Sequence, residues 1–420
     1  MGRRNNDSHG VHYMITSCMG YIERITGVIP HTNKSVDVLI NGGNLIITGG
    51  NGSGKTSFLR SVYEKTVLFI VNKKQADLPQ LKQNLQNHEK GLAASTKGTT
   101  QYDTYANTVK SYQTQIENIE SGLQPVIPNN IQFSSKYDER QAVVLYFEDK
   151  RLANISEART AQGLQIEIDE NRKAAHDKNV GNNLEQHLLN LKTRRSLAIT
   201  EDKDQALADT IDIWFGEFEK SLKHLFEDGS AQLLFDPNKN KFSIKLNNNP
   251  PFTFQTLSAG YKAIFDVYAD LLMRTEYFSV KPMELEGVVF IDEIDSHLHI
   301  SLQRLILPFF TKSFPGVQFI ITTHSPFVLM STRDTLVYDL GKEAPYSISQ
   351  VKSQNEILSE YLGVPTAMPV WAEQNLAEIL HKYLDREPDS ISLAALKEEL
   401  TNAGLETYFP DSAARLLETK

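Results

Sequence analysis

This 420-residue sequence predicts an α/β fold built on a mixed, mainly parallel sheet, and three observations predict it. A short apolar run, Asn44-Leu45-Ile46-Ile47-Thr48, leads into a glycine-rich turn and then a helix. Two later apolar runs, Val288-Val289-Phe290-Ile291 and Phe319-Ile320-Ile321, each end in a polar cluster. Apolar runs without alternation suit strands buried on both faces, as in a parallel sheet covered by helices. Polar groups at the carboxyl ends of such strands gather at one edge, where α/β sheets bind ligands.

The elements follow in order. Residues 21–29 and 35–40 alternate and predict antiparallel N-terminal strands, with Asn41-Gly42-Gly43 as a turn. A helix is expected over 56–69. Leu78, Leu81, Leu85 and Leu92, with His88 filling the gap, are followed after Gly98-Thr99-Thr100 by Tyr105, Val109, Tyr112, Ile116, Ile119 and Leu123. That heptad-like spacing predicts a short antiparallel coiled-coil hairpin with arms of roughly 30 Å. Two ordinary amphipathic helices packed on the body are the alternative. Residues 141–147 predict a core strand, 156–228 a charged helical stretch, and 233–246 a hairpin turning at Asp236-Pro237-Asn238. Residues 254–340 are α/β in pattern. The expected divisions are 1–72 for the N-terminal part of the head, 73–128 for the hairpin insertion, 129–229 for a strand and helical subdomain, 230–345 for the C-terminal part of the head, and 346–420 for a polar helical region.

Charge and composition narrow the function classes. Lys and Arg number 43 against 52 Asp and Glu, a net charge of −9, which argues against a surface that coats nucleic acid generally. A local basic groove stays open, and Lys192, Arg194 and Arg195 read either as a solvated helix face or as a nucleic-acid or phosphate contact. The single cysteine, Cys18, excludes an intrachain disulfide and a cysteine-cage metal site and fits a reducing compartment. No apolar run approaches the roughly 18–20 residues that span a bilayer, and no apolar stretch follows the basic start. The expectation is a cytoplasmic protein with no membrane partner.

Gly49-Gly50-Asn51-Gly52-Ser53-Gly54-Lys55-Thr56 matches G-x-x-x-x-G-K-[ST] between a strand and a helix, the context of a phosphate-binding P-loop. Gly49, Asn51, Gly52, Ser53 and Gly54 supply backbone N–H groups around phosphate oxygens, with Ser57 next in the helix. Lys55 is suited to the β- and γ-phosphates of ATP, and the Thr56 hydroxyl to Mg2+. Val288–Glu293 delivers two carboxylates: Asp292 as a Mg2+ ligand and Glu293 as the base that polarises the attacking water. His324, after the third apolar run, is a candidate γ-phosphate partner. Leu257-Ser258-Ala259-Gly260 precedes an apolar helix and reads either as a Ser-capped helix start with a glycine turn or as a second anion site. On one chain that site has no evident occupant; it makes sense facing the P-loop of another copy. His297 and His299 also raise a zinc reading, with no third ligand evident beside that of a structural pair.

The order Walker A (49–56), signature-like Leu257-Ser258-Ala259-Gly260, Walker B (Ile291-Asp292-Glu293) and a His324 switch resembles the ABC-type ATPases. Asp292-Glu293-Ile294-Asp295-Ser296-His297-Leu298-His299 and Thr322-Thr323-His324-Ser325-Pro326, with about 200 residues between P-loop and signature, resemble the SMC-related and OLD-like group. The likeness covers roughly 20–72 and 230–340. It departs at Tyr261, where many signatures carry Glu or Gln, and around His297 and His299, where a transporter-type aspartate is replaced. A Q-loop glutamine has two candidates, Gln132 and Gln141. The resemblance implies an ABC-type head that clasps ATP and Mg2+ between two copies. It extends to stand-alone ATPase subunits of bacterial anti-phage systems (PARIS, Septu and retron-linked), which implies regulation of a separate effector. Residues after 340 hold no TOPRIM or HNH pattern, so a TOPRIM-like or HNH-like nuclease on another chain is the expected partner. An SMC-like DNA-repair or chromosome-maintenance ATPase is the alternative, followed by a transporter subunit and a scaffold that binds ATP without hydrolysing it.

Overall fold

The computed structural model describes residues 21–346 except 33, 177, 248, 333 and 334, together with 372, 375, 376, 378, 379 and 393–405. They belong to two compact units, 1–350 and 351–420. Cys18 lies outside the described residues.

The first unit opens with strands β1 (Arg24–Val28) and β2 (Ser35–Leu39), which pair antiparallel. In β2 the alternation is literal: Val36 and Val38 are buried, while Ser35, Asp37 and Leu39 are exposed. Strand β3 (Leu45–Thr48) is buried throughout and runs into helix α1 (Lys55–Thr66), which continues as a wide π-turn over Val67–Val71. Helices α2 (Lys74–Ala94) and α3 (Thr100–Glu120) pack on one another. His88 fills the gap in the apolar series as an aromatic, its ring 6.0 Å from that of Tyr105 and 5.2 Å from that of Tyr112. Strand β4 (Gln124–Val126) returns to pair with β1, so both arms leave and re-enter at one place.

Helix α4 (Asn130–Asp138) leads to β5 (Ala142–Phe147). Helices α5 (Leu164–Ala174), α6 (Leu184–Leu197) and α7 (Gln205–Leu225) follow, then the hairpin β6 (Gln232–Asp236) and β7 (Lys241–Lys245). The long helix α8 (Ala259–Phe278) leads into β8 (Glu286–Ile291), α9 (Ile300–Ser313), β9 (Val317–Thr322), α10 (Pro326–Leu329), β10 (Leu336–Asp339) and β11 (Ala344–Tyr346).

The central sheet has six strands in the order β11-β10-β3-β9-β8-β5. All neighbours are parallel except the edge pair β10–β11. A second, antiparallel sheet has the order β2-β1-β4. This is the α/β architecture, a mainly parallel sheet beside antiparallel N-terminal strands, that the sequence predicts. Parallel strands need helical crossovers, which explains why the buried strands read as apolar runs. Gly287 marks the tight seam between β8 and β5: its φ is 126°, and a Cβ there would lie 2.0 Å from the Val143 carbonyl oxygen. One core spans both sheets, joining Ile25, Val38, Ile47, Phe58, Phe290 and Ile320.

The helical layer carries its own polar interior. Arg274 and Asp270 on α8 form a buried pair at 2.8 Å, and Asp270 also accepts from the Val180 N–H at 2.7 Å. In the second unit, helix Leu393–Asn402 contributes Leu400 to a small cluster with Ala372, Leu376, Ile379 and Leu405. Among the described residues no helix is long and apolar enough to cross a membrane.

Candidate functional site

The parallel order places the carboxyl ends of β3, β9 and β8 side by side, and the polar clusters of the sequence meet there. The turn after β3 is held open by left-handed glycines: Gly49 has φ 140°, Gly52 73° and Gly54 98°. A side chain at Gly49 would sit 2.9 Å from Ser53 Oγ, whereas Gly50 and Gly52 face open space. Asn51, Gly52 and Thr56 lie at the surface or border it, and Ser57 is half-buried in the first turn of α1. Lys55 is only 6% exposed, and its Nζ donates to the loop's own carbonyls, Gly49 O at 3.1 Å and Gly50 O at 3.2 Å. Burial lowers its pKa, opposed by the carboxylates of Glu293, Asp292, Asp295 and Asp339.

Strand β9 lies between the P-loop strand and β8, and its last residue bridges the two. Thr322 Oγ1 donates to Asp292 Oδ1 at 2.5 Å and accepts from the Glu293 N–H at 2.7 Å. Tyr146, at the end of β5, donates to Asp292 Oδ2 at 3.4 Å, and burial beside Asp292 pushes its pKa up to about 12. Asp292 is 4% exposed. Glu293 is half-buried with φ 43°, a conformation a non-glycine residue holds only where its surroundings enforce it. Ser296 Oγ donates to Glu293 Oε2 at 3.1 Å. His324 follows β9, half-buried; burial and then the Lys55 charge lower its pKa, opposed by Asp295 and Glu293.

The structure thus brings Lys55, Asp292, Glu293 and His324 into one electrostatic neighbourhood. Ser258 and Gly260 lie at the start of α8. Ser258 is exposed at the start of α8, and its hydroxyl makes no cap hydrogen bond. Gly260 is buried against the turn after Glu293, where a Cβ would lie 3.0 Å from the His297 carbonyl oxygen.

Several side chains take different places from those the sequence suggested. Neither glutamine candidate reaches this edge. Gln141 precedes β5, where its carbonyl accepts from Glu286 N–H at 3.1 Å, the amino-terminal end of the sheet; Gln132 is exposed on α4. Glu148 and Arg151 follow β5 at the correct edge instead. Arg151 is buried and donates to main-chain oxygens of both Asp292 and Glu293, at 2.5 and 2.7 Å. Its only sequence signal is an arginine just past an apolar strand, which composition and spacing do not single out. His299 accepts from the Ser301 N–H as the cap of α9. Among the described residues no three His, Cys, Asp or Glu side chains converge to hold a metal. The basic cluster is tied down within the chain. Arg194 pairs with Asp202 at 2.5 Å, Arg195 with both oxygens of Asp212 at 2.5 and 2.6 Å, and Lys192 Nζ lies 3.9 Å from the Phe215 ring centre. A cleft of about 420 Å3 behind β5, walled by Tyr63, Tyr146, Arg151, Asp266 and Arg274, shares no wall with the P-loop.

Do these residues fit a nucleoside triphosphate and Mg2+? Ser53 Oγ and Thr48 Oγ1 are buried at the loop with no hydrogen-bond partner, although buried hydroxyls normally find one. The first turn of α1 holds no acidic residue, as an anion-receiving helix end requires. The donor set is cationic and N–H-rich on the loop side and carboxylate-rich on the β8 side. That matches phosphates held by one and a divalent cation by the other.

Comparison with known proteins agrees with this arrangement. A family model described as "AAA domain, putative AbiEii toxin, Type IV TA system" matches residues 45–331. The "Retron Ec83 probable ATPase" of Escherichia coli is 31% identical over 172 residues, covering 40% of this chain and 29% of that protein. The "Septu protein PtuA" of Bacillus thuringiensis is 26% identical over 143 residues, covering 30% of this chain and 36% of that one. The chain thus matches only about a third of the length of these relatives. Among solved structures, the SMC head domain from Thermotoga maritima covers 76% of this chain and 94% of its own at 11% identity, with a TM-score of 0.34. The match from the P-loop strand through the turn after α10 spans well over half the sequence, and the chain belongs to this AAA-domain family.

Proposed function

We propose that the chain is a Mg2+-dependent ATPase that closes as a pair of copies around ATP and thereby regulates a separate effector in bacterial anti-phage defence. The observation that carries the ATPase reading is the meeting of Lys55, Asp292, Glu293 and His324 beside a phosphate loop whose Ser53 hydroxyl has no partner.

In this reading the backbone N–H groups from Gly49 to Thr56 receive the β-phosphate, and Lys55 exchanges its two loop carbonyls for β- and γ-phosphate oxygens. Thr56 and Asp292 hold Mg2+, which when bound neutralises charge on the phosphates. Thr322 and Tyr146 would fix the Asp292 carboxylate for that role by donating to its two oxygens. Glu293 orients the water that attacks the γ-phosphorus, and His324 donates to a γ-phosphate oxygen. Ser258 and Gly260 serve the P-loop of a second copy. The start of α8 supports this, because Ser258 and Ala259 lie at the surface and the Ser258 hydroxyl makes no cap hydrogen bond.

The effector role is supported by the relatives named for retron and Septu systems. A TOPRIM-like or HNH-like nuclease on another chain is the proposed effector, and a cytoplasmic setting is part of the same reading. For the DNA-maintenance alternative, the sequence offered Lys192, Arg194 and Arg195 as contacts. Two of these are already paired with aspartates, so no observation favours it.

The test is the mass of Glu293→Gln in solution. With MgATP it should double relative to the protomer, and with MgADP it should not. Adding Ser258→Arg should abolish the ATP-dependent doubling; a doubling that survives it would remove Ser258 from the seam.

A further inference from the structure

Arg151 is 3% exposed, yet its guanidinium is spent wholly on main-chain oxygens. It donates to Glu148 O at 2.8 Å, Asp292 O at 2.5 Å and Glu293 O at 2.7 Å. Its hydrogen bonds include no carboxylate; Asp266, Asp295 and Asp292 act on it only at longer range. Burying a permanent cation without a bonded anion is costly, so such a placement persists where it over-determines something else. What it holds is the turn carrying Glu293, whose φ of 43° is unfavourable for a residue with a Cβ.

The same segment reaches the other candidate phosphate element. Just past Arg151, the Ala153 N–H donates to Lys262 O at 3.3 Å, in the first turn of α8. Gly260 itself packs against the His297 carbonyl, in the turn that follows Glu293. The start of α8 therefore abuts the turn directly, through Gly260, and is linked to it a second time through Ala153 and Arg151.

We infer that Arg151 is a positioning residue that holds Glu293 in its left-handed conformation and makes that conformation depend on where the N-terminal end of α8 sits. Seating Ser258 and Gly260 on a neighbour's nucleotide would then set the Glu293 carboxylate, so hydrolysis is slow until the pair has closed. This rests on the ATPase reading above. It differs from charge stabilisation by an arginine, because no Arg151 nitrogen is assigned to the substrate.

Arg151→Lys is the informative change. It keeps the charge, but a single ammonium cannot reproduce a planar fork across three carbonyls. In the full chain with MgATP, Arg151→Lys should lower kcat about tenfold or more while ATP affinity stays within about threefold of wild type. In single-turnover measurements on a Glu293→Gln background it should add little further loss, because both changes act on one group. Equal losses in the two backgrounds, or an unchanged kcat in a folded Arg151→Lys, would overturn the inference. A second variant, Ala153→Pro, leaves Arg151 in place and deletes the N–H bonded to Lys262. It should lower kcat at least about threefold with affinity retained, and an unchanged kcat would remove the link to α8. Wild-type protein that releases no phosphate would overturn the ATPase reading and this inference with it. Normal wild-type release beside an unaffected Arg151→Lys would overturn the inference alone.

Discussion

Lys55 is the residue on which the site turns, and its partners within the chain say what binding must do. Its ammonium sits on Gly49 O and Gly50 O at 3.1 and 3.2 Å, so phosphate oxygens replace neutral acceptors with charged ones. Lys55→Ala should weaken ATP binding about 100-fold or more, by fluorescent-nucleotide titration, with little change in folding stability. Ser53 behaves in the opposite sense. Its buried hydroxyl has no partner, so Ser53→Ala should stabilise the nucleotide-free protein by about 1 kcal/mol while weakening ATP binding. Thermal midpoints with and without MgATP separate the two effects, and a midpoint lowered in both states would contradict this account of Ser53. These residues were legible in the sequence because loop chemistry is local: glycine spacing, a lysine and a helix start fix the geometry within one turn. Arg151 and Tyr146 were not legible, because their contacts to Asp292 span more than a hundred positions and leave no spacing to read.

At the scale of elements, the helical layer holds a buried polar group that the sequence did not announce. His187 on α6 is fully buried, with Nδ1 3.2 Å from Glu167 and Nε2 3.4 Å from Glu276, the latter ion-pair range rather than a well-aligned hydrogen bond. Burial alone would favour the neutral ring, but the two carboxylates outweigh it and carry the pKa up to about 9. Glu167 is held below its usual range despite its own burial by His187, Asn190 and Tyr277, which agrees with a charged pair. The folded pKa lies above the unfolded value of about 6.5, so the stabilisation is complete below that pH and is lost as pH rises through about 9. It amounts to about 3 kcal/mol. Urea unfolding at pH 6.5 and 9.5 should show wild type losing that much more stability than His187→Gln; parallel losses would contradict it. The helical stretch over 156–228 was legible, but a fully buried histidine within it looks like any polar residue until three other helices close over it. Gln141 shows the complementary limit: residue type suggested a role, while strand direction places it at the wrong end of β5.

At the scale of the whole molecule, the order of strands makes the chemistry. Because β9 lies between the P-loop strand and β8, Thr322 reaches Asp292 and the Glu293 amide together, and because all these strands are parallel, every polar terminus faces the same edge. The apolar runs and the order of motifs announced that sheet. The packing of α8 against the turn after Glu293 depends on long-range contact and did not emerge from the sequence. The central claim is that this edge hydrolyses ATP with Glu293 orienting the water. Phosphate release from ATP by the full chain, with Mg2+ and with EDTA, tests it most directly, beside Glu293→Gln under the same conditions. The account predicts Mg2+-dependent release that falls about 100-fold or more in Glu293→Gln while ATP binding persists. Release that is absent from the wild type, or equally fast in the variant, would contradict it.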